Sequence, residues 1–248
     1  MANILILGGT TEAATLAWRL ASKPGVRAIT SLAGRTRQPV TVPGEMRIGG
    51  FGGVERLKDY LCLEGIDLLV DATHPFAARI SKQAAEACNG AGVPRLMLVR
   101  PAWERQDGDS WIEVDSMEAA ARALPEQGAR VFLTVGRQEL EPFGARPDLW
   151  FLVRLIEAPK EPLPFPRHEL IRERGPFALE DEAQLLARRG IDFLVTKNAG
   201  GQASAAKIQA ARSRGLPVVM VRRPRLPLGD ATADVDGAMA WISARLAQ

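Results

Sequence analysis

The chain has 248 residues, 46% hydrophobic and 25% charged, which is typical of a globular protein with one large core or two modest ones. Its 32 basic and 29 acidic residues leave a formal charge of +3, a surplus too small to indicate a nucleic-acid partner. Two cysteines exclude a disulfide framework and a four-ligand zinc site, so no metal is expected. The short apolar runs predict neither a membrane span nor a signal peptide, and therefore a cytoplasmic protein.

The chain opens with an apolar strand that runs into a glycine turn and a helix. Residues 4–7 carry no charge and are typical of a strand that is buried on both faces. Residues 11–20 have helical periodicity, and the first amides of such a helix can bind a phosphate. The third glycine of the dinucleotide fingerprint is replaced by Glu12 or Ala13, so an ordinary turn is the alternative. The predicted nucleotide contacts are Gly8, Gly9, Thr10 and Thr11.

A second predicted strand, residues 26–32, ends in a basic turn. In a dinucleotide fold this strand end faces the adenosine ribose, where an acidic residue selects NAD and an arginine accommodates the extra phosphate of NADP. The turn carries arginines and no acid, which favours NADPH, although a solvated basic turn has the same composition. The predicted contacts here are Gly34, Arg35, Thr36 and Arg37.

Two further strand ends complete the first half of the chain. After a short strand at 46–48, four glycines surround one aromatic residue, which indicates either a loop that a ligand approaches closely or a flexible connection. After a strand at 66–70 come Thr73 and His74, at the end where parallel sheets bind ligands. His74 is a candidate catalytic acid, or else a turn residue satisfied by the backbone. The glycine loop adds the predicted cofactor contacts Gly50, Phe51, Gly52 and Gly53.

The second half of the chain repeats the first at an offset of about half the chain length. The matching pairs are 65–72 with 190–197, 92–101 with 215–224, and Gly9 and Glu12 with Gly136 and Glu139. The repeat predicts an α/β fold of two tandem Rossmann-like units, 1–125 and 126–248, each a mostly parallel sheet flanked by helices, with a ligand cleft between them. Helical stretches at 116–124 and 236–246 are expected to close the first and the second unit.

Basic residues gather at the loops of the second half. A helix predicted at 203–214 follows a loop that begins with Lys197, so free amides and a lysine lie together there. Several arginines follow other strands, which favours a substrate with several carboxylates over arginines that are merely solvated. Lys197 is also a candidate catalytic group. The predicted substrate contacts are Arg137, Arg174, Gly175, Lys197, Asn198, Ala199, Gly200, Gly201 and Gln202.

Seven short motifs span nearly the whole chain: LGGTTE at 7–12, AGRT at 33–36, IGGFGG at 48–53, DATHPFA at 71–77, RPAW at 100–103, RGPF at 174–177 and KNAGG at 197–201. In order and spacing they resemble the precorrin-6A reductase family of corrin-ring biosynthesis. The resemblance implies NADPH-dependent reduction of one ring double bond of precorrin-6A to give precorrin-6B, with the cofactor in the N-terminal unit. It also implies a tetrapyrrole substrate fringed with carboxylates. Some family members carry serine at the position of Ala199, so no hydroxyl is required there.

Other classes of protein fit the sequence less well. A short-chain dehydrogenase needs a Tyr-x-x-x-Lys pair, and Tyr60 is followed four positions later by Glu64. No serine elbow or metal cluster indicates a hydrolase. A solute receptor of two lobes would be exported, and a regulator that senses NADP(H) without turnover leaves the second basic loop unexplained; this regulator is the alternative function. We expect a monomer without nucleic-acid or membrane partners, in which His74, Lys197 or a water between them supplies the proton.

Overall fold

The computed structural model describes residues 1–34 and 41–247, and its chain divides into two compact units. Unit 1 consists of Met1–Pro101 and Pro224–Gln248, and unit 2 of Ala102–Arg223. Each unit is built on a six-stranded sheet in which every pair of neighbouring strands is parallel. The predicted α/β class with two Rossmann-like units is therefore confirmed.

The first hundred residues alternate strands and helices, as their apolar periodicity predicts. In chain order the elements are β1 (Ala2–Leu7), α1 (Thr11–Ala21), β2 (Val26–Leu32), β3 (Glu45–Ile48), α2 (Val54–Leu63), β4 (Leu68–Asp71), α3 (Ala78–Ala91) and β5 (Arg95–Leu98). Both faces of the central strand are buried: Ile4 and Ile6 pack with α1, whereas Leu5 and Leu7 pack with α2 and α3. This two-sided burial explains why β1 carries no polar residue between Ile4 and Leu7.

Unit 2 has the same alternation and three additional 3-10 turns. Its elements are β6 (Trp111–Val114), α4 (Met117–Arg122), β7 (Arg130–Leu133), 3-10 turns at Arg137–Glu139 and Glu141–Ala145, β8 (Trp150–Leu155), β9 (His168–Arg172), α5 (Leu179–Arg188), β10 (Phe193–Lys197), a 3-10 turn at Gln202–Ser204, α6 (Ala206–Ser213) and β11 (Val218–Val221). The chain then ends with β12 (Asp230–Thr232) and α7 (Val235–Leu246).

The two sheets exchange their sixth strands. The strand orders are β3-β2-β1-β4-β5-β12 in sheet 1 and β9-β8-β7-β10-β11-β6 in sheet 2. The strand that follows β5 in the chain thus joins sheet 2, where Trp111 pairs with Val218, and the strand that follows β11 returns to sheet 1, where Asp230 pairs with Leu96. We name this arrangement the strand exchange.

The strand exchange corrects the expected boundary between residues 125 and 126, because the chain crosses between units near residues 101 and 223. It also reverses the expected places of two helices. Helix α4 packs in unit 2 against β11, and α7 packs in unit 1, where Ala238 and Ile242 join the core beside α1. The repeat specifies the type of each element, but two equivalent sheets offer equivalent edges, so the repeat alone does not specify the partner strand.

Neither a membrane-spanning helix nor a metal-binding cluster is found among the described residues. None of the helices within residues 1–34 and 41–247 is long and apolar enough to cross a membrane. In the same part of the chain, no group of three or more His, Cys, Asp or Glu side chains is arranged to hold a metal ion.

Candidate functional site

The carboxyl edge of sheet 1 has the strand order of dinucleotide-binding folds. The order of strands reverses between β1 and β4, so the loops after these two strands diverge and leave room for a ligand. A small depression at this edge is lined by Thr10, Glu12, Thr73, Pro75, Leu98 and Arg100. The structure therefore brings together Thr10 and Thr73, two of the predicted cofactor contacts that follow β1 and β4.

Two glycines shape the turn after β1 for different reasons. A Cβ atom on Gly8 would lie 3.1 Å from the side chains of Thr30 and Leu32, so glycine lets the turn pack closely on β2. Gly9 has a φ of 110°, which side-chain-bearing residues rarely adopt, and a Cβ atom there would meet nothing within 4 Å. The backbone at Gly9 thus borders open space that a ligand can enter.

Thr10 connects this turn to both α1 and β4. Its Oγ1 accepts a hydrogen bond from the Ala13 amide at 3.1 Å and donates one to the Ala72 carbonyl at 2.7 Å. The amides of Thr11 and Glu12, in the first turn of α1, have no acceptors within the helix. They are the groups that can bind a phosphate at the helix N-terminus.

We expect Thr10→Ala to weaken dinucleotide binding and to lower the free energy of unfolding by about 1 kcal/mol, the usual loss for a helix N-cap. Ser116→Ala is the matched control, because Ser116 caps α4 in the same way through the Ala119 amide at 3.1 Å. Urea unfolding and dinucleotide titration measure the two effects. Thr10→Ala should lose more stability than Ser116→Ala, because it also removes the hydrogen bond to the Ala72 carbonyl. An equal loss of dinucleotide affinity in Ser116→Ala would contradict a site at Thr10.

An ion pair offsets the acidic charge in the first turn of α1. Arg100 Nη1 donates to Glu12 Oε2 at 2.9 Å, and both side chains are largely buried. In the sequence, Glu12 departs from the glycine fingerprint and matches Glu139 in the repeat, and neither pattern indicates Arg100 as its partner. Their pairing joins positions 88 residues apart, so no local pattern indicates it.

The loop after β4 is held by its own side chains. The buried carboxylate of Asp71 accepts from the amide and the hydroxyl of Thr73, at 3.2 and 2.7 Å. Nδ1 of His74 accepts from the Phe76 amide at 3.2 Å, so the neutral ring carries its hydrogen on Nε2. His74 therefore shapes the turn through Nδ1, and Nε2 is the atom that could deliver a proton.

The glycine loop after β3 is folded around its aromatic residue. Phe51 is buried in the core and packs edge-on against Tyr60, with the two ring centroids 5.2 Å apart. Arg47 lies 3.8 Å above the Phe51 ring and donates to the carbonyls of Gly49 and Gly50, at 2.5 and 3.1 Å. The Phe51 ring is thus a core group, so its predicted contact with the cofactor would have to be made by the loop backbone. The other predicted contacts in this loop, Gly52 and Gly53, both have positive φ.

The basic turn after β2 is only partly described. Gly34 has a φ of 70°, and a Cβ atom on it would lie 3.3 Å from the Ile48 side chain, so the ends of β2 and β3 are close together. The predicted cofactor contacts Arg35, Thr36 and Arg37 lie outside the described residues.

Sheet 2 has an equivalent edge between β7 and β10, and Lys197 lies there. Its Nζ donates to both carboxylate oxygens of Glu139, at 2.9 and 2.8 Å. Glu139 also accepts from the Gly136 amide at 2.7 Å. The lysine that the sequence assigns to an anionic substrate thus already has an acidic partner, which the sequence analysis recorded only as a repeat match.

The loop that follows Lys197 is fixed by hydrogen bonds within unit 2. The Asn198 side chain accepts from the Trp103 amide at 2.8 Å and donates to the Trp103 carbonyl at 2.9 Å. The Trp103 indole donates to the Gly201 carbonyl at 3.1 Å. Arg223 donates to the carbonyls of Asn198 and Ala199, at 2.8 and 2.9 Å. Asn198 is therefore a structural support of this loop, and Gly200 and Gly201 both have positive φ.

A second segment of predicted substrate contacts lies against this loop. A Cβ atom on Gly175 would be 3.2 Å from the Ala203 carbonyl, which places the Arg174 segment beside the turn that begins at Gln202. Both Arg174 and Gln202 are exposed. Arg137 is also exposed, in the turn after β7, the strand next to β10.

A buried charged cluster in unit 2 was missed by the sequence analysis. Arg154 donates to both carboxylate oxygens of Glu182, at 3.0 and 2.6 Å, and the two residues are only 8% and 1% exposed. Lys207 is buried close by, and burial lowers the pKa of its amine to about 8; Glu182 opposes this shift, whereas Arg154 and Lys197 add to it. An arginine within an otherwise apolar strand, here the fifth of six residues in β8, is the sequence signal that could have indicated this cluster.

Comparison with known proteins shows consistent similarity along the whole chain. The family model described as precorrin-6x reductase CbiJ/CobK matches residues 3–243. Relatives named precorrin-6A reductase, from Rhodococcus erythropolis and Rhodobacter capsulatus, are 48% and 46% identical over 98% of this chain and 98% and 96% of theirs. A relative from Priestia megaterium named cobalt-precorrin-6A reductase is 29% identical over 91% of this chain and 92% of its own. A solved structure titled CobK precorrin-6A reductase has a TM-score of 0.94 at 46% identity, covering 99% of this chain and 97% of that one.

Proposed function

The chain belongs to the precorrin-6x reductase CbiJ/CobK family, and we propose that it reduces one ring double bond of precorrin-6A with NADPH to give precorrin-6B. The observation that carries this proposal is the identity of 46–48% over nearly the full chain to proteins named precorrin-6A reductase. Identity to a relative named for the cobalt-bound substrate is 29%, which favours the metal-free ring as substrate.

The residues at the carboxyl edge of sheet 1 fit a nicotinamide dinucleotide. The open space beside Gly9 and the first amides of α1 suit a pyrophosphate, and Arg100 neutralises the nearby carboxylate of Glu12. Thr73 and His74 lie on the neighbouring loop. The bound cofactor would supply the hydride, so the task of the chain is to bind and orient it against the substrate.

The arginines that follow β2 in the sequence support a preference for NADPH over NADH. We expect Arg35→Ala to weaken NADPH binding roughly 10- to 150-fold, because one charge-assisted contact contributes about 1.5–3 kcal/mol, and to leave NADH binding unchanged. Lys82→Ala is the control, since it removes an exposed positive charge on α3. Fluorescence titration with both nucleotides measures the effect, and an unchanged preference would place the phosphate contact elsewhere.

For the substrate, we propose that unit 2 binds the ring carboxylates. Arg137 and Arg174 are exposed at loops, and the loop from Lys197 to Gln202 is held rigid by Trp103 and Arg223, which favours fixed contacts to carboxylates. Lys197 could bind a substrate carboxylate only while its ammonium also pairs with Glu139.

The function is tested with purified protein, NADPH and metal-free or cobalt-bound precorrin-6A. We expect one NADPH to be consumed for each molecule of product, whose mass should exceed that of the substrate by two hydrogens. The reaction should be faster with the metal-free ring. The alternative, an NADP(H)-sensing regulator, would bind NADPH without oxidising it in the presence of either substrate.

A further inference from the structure

Two threonine hydroxyls at the carboxyl edge of sheet 1 donate their hydrogens to acceptors within the protein. Thr10 and Thr73 line the depression between the loops that follow β1 and β4. Thr10 Oγ1 donates to the Ala72 carbonyl at 2.7 Å, and Thr73 Oγ1 donates to Asp71 Oδ1 at 2.7 Å. A hydroxyl has one hydrogen and two lone pairs, so each of these side chains can offer a ligand only an acceptor.

Asp71 fixes the direction of the Thr73 hydrogen. Its Oδ1 also accepts from the Thr73 amide at 3.2 Å, so this oxygen is an acceptor and the hydroxyl is the donor. Asp71 is 2% exposed, and its Oδ2 is buried with no hydrogen bond from the part of the chain that the structure describes. The carboxylate therefore depends on Thr73 for its hydrogen bonds. Turning the hydroxyl towards a ligand phosphate would leave this buried carboxylate with the amide alone, which is unfavourable.

One lone pair of Thr73 remains for a ligand. Ser81 Oγ lies 3.4 Å from Thr73 Oγ1, and because the Thr73 hydrogen is already bonded to Asp71, Ser81 is the donor in this contact. Ser81 is buried on α3, whereas Thr73 is only half-buried and borders the depression. The second lone pair is thus what the Thr73 side chain can offer a ligand, and it suits an N–H or O–H group rather than a phosphate.

A nicotinamide dinucleotide carries such donors in the half that the loop after β4 faces. In dinucleotide-binding folds the pyrophosphate lies at the N-terminus of the first helix, and the end of the second strand faces the adenosine ribose. Strand β4 lies on the opposite side of β1 from β2, so the loop after β4 faces the nicotinamide half. The donors of that half are the carboxamide N–H and the ribose hydroxyls.

We propose that Thr73, with its own hydrogen held by Asp71, accepts a hydrogen bond from the nicotinamide half of the bound cofactor, either from the carboxamide or from a ribose hydroxyl. The inference rests on the proposed function, which supplies the identity of the cofactor. It assigns the polar groups at this edge to two parts of the ligand. The first amides of α1 bind the phosphates, and the Thr73 oxygen binds a donor.

Binding titrations without substrate test this contact. We expect Thr73→Val to weaken NADPH binding roughly 2- to 12-fold, as for the loss of one neutral hydrogen bond. The adenosine bisphosphate fragment of NADPH lacks the nicotinamide half, so its affinity should be unchanged, which also shows that the variant is folded. Thr73→Ser keeps the hydroxyl and should bind NADPH like the wild type. Thr15→Val is the matched control, since the exposed Thr15 hydroxyl bonds to the Thr11 carbonyl within α1.

The reduced acetylpyridine analogue of NADPH, in which a methyl ketone replaces the carboxamide, identifies the donor. If the carboxamide donates, Thr73→Val should weaken NADPH and leave the analogue unchanged. If a ribose hydroxyl donates, Thr73→Val should weaken both by the same factor. The proposal would be overturned by an unchanged NADPH affinity in Thr73→Val, by an equal loss for the adenosine fragment, or by an equal loss in Thr73→Ser.

Failure of the proposed function is a separate outcome. These titrations need no substrate, whereas the proposed function fails if the wild-type protein binds NADPH and leaves it unoxidised in the presence of precorrin-6A. Conversely, a wild type that reduces precorrin-6A while Thr73→Val keeps its full NADPH affinity would overturn the assignment of Thr73 alone.

Discussion

Replacement of Glu182 by alanine is expected to lower the free energy of unfolding by about 3–5 kcal/mol. The substitution leaves the Arg154 guanidinium buried, beside the rings of Phe132 and Phe177, without the carboxylate that receives two of its hydrogen bonds. A buried charge that loses its partner keeps its full desolvation cost, whereas most of a surface ion pair is replaced by water. Urea unfolding of the wild type and the variant at neutral pH measures the difference.

Glu86→Ala is the control for this prediction. Glu86 forms an exposed pair with Lys82 at 3.9 Å, with side chains 50% and 77% exposed, so its loss should cost less than about 0.5 kcal/mol. Glu173 Oε2 lies 3.1 Å from Arg154 Nε but is not aligned for a hydrogen bond. A loss below about 1 kcal/mol in Glu182→Ala would mean that Glu173 replaces Glu182 as the partner, contrary to our expectation.

Ile242→Ala is expected to lower stability by about 2–5 kcal/mol and to loosen unit 1 selectively. Ile242 is fully buried on α7 and packs in the core that contains α1, β1, β4 and β5. Hydrogen exchange should therefore become faster at the amides of α1 and β5 and remain unchanged at those of β10. This pattern tests the assignment of α7 to the first sheet.

The reciprocal variant is Leu124→Ala, which removes a buried side chain just after α4 in unit 2. It should speed exchange in β11 and leave β5 unchanged. Leu63→Ala, at a side chain that is 86% exposed, should change neither unit by more than about 0.5 kcal/mol. If Ile242→Ala loosened β11 and Leu124→Ala loosened β5, the two helices would close the units that the repeat suggests.

Features set by neighbouring residues were predictable from the sequence. The apolar run of β1, the glycine turn at Gly8 and Gly9, and the amphipathic α1 follow one another within twenty residues, and each has a local signature. The parallel arrangement then places the ends of β1 and β4 at one edge, so Thr10 and Thr73 could be assigned to one site before their contacts were known.

Features set by distant residues were not predictable. Glu12 with Arg100, Glu139 with Lys197, and Arg154 with Glu182 are pairs of ordinary surface-type residues until the fold brings them together. Phe51 points into the core with Arg47 above its ring, and a glycine loop around an aromatic residue has the same sequence whichever way the ring points. The partner of a three- or four-residue edge strand is equally absent from the strand's own pattern.

The strand exchange also sets the order in which the protein is completed on the ribosome. All strands of sheet 2 lie within Ala102–Arg223, whereas sheet 1 is complete only after β12 has been translated. About 130 residues separate the end of β5 from β12, and their translation takes roughly 7–26 s at rates of about 5–20 residues per second. During that time one edge of β5 is unpaired. The next strand to emerge is β6, which directly follows β5 in the chain but pairs with β11 in the folded protein. Asp109, just before β6, binds Arg212 of α6 at 2.9 and 3.1 Å, a contact that fixes this segment in unit 2 only after α6 has been translated. The half of the protein that is translated first is thus finished last.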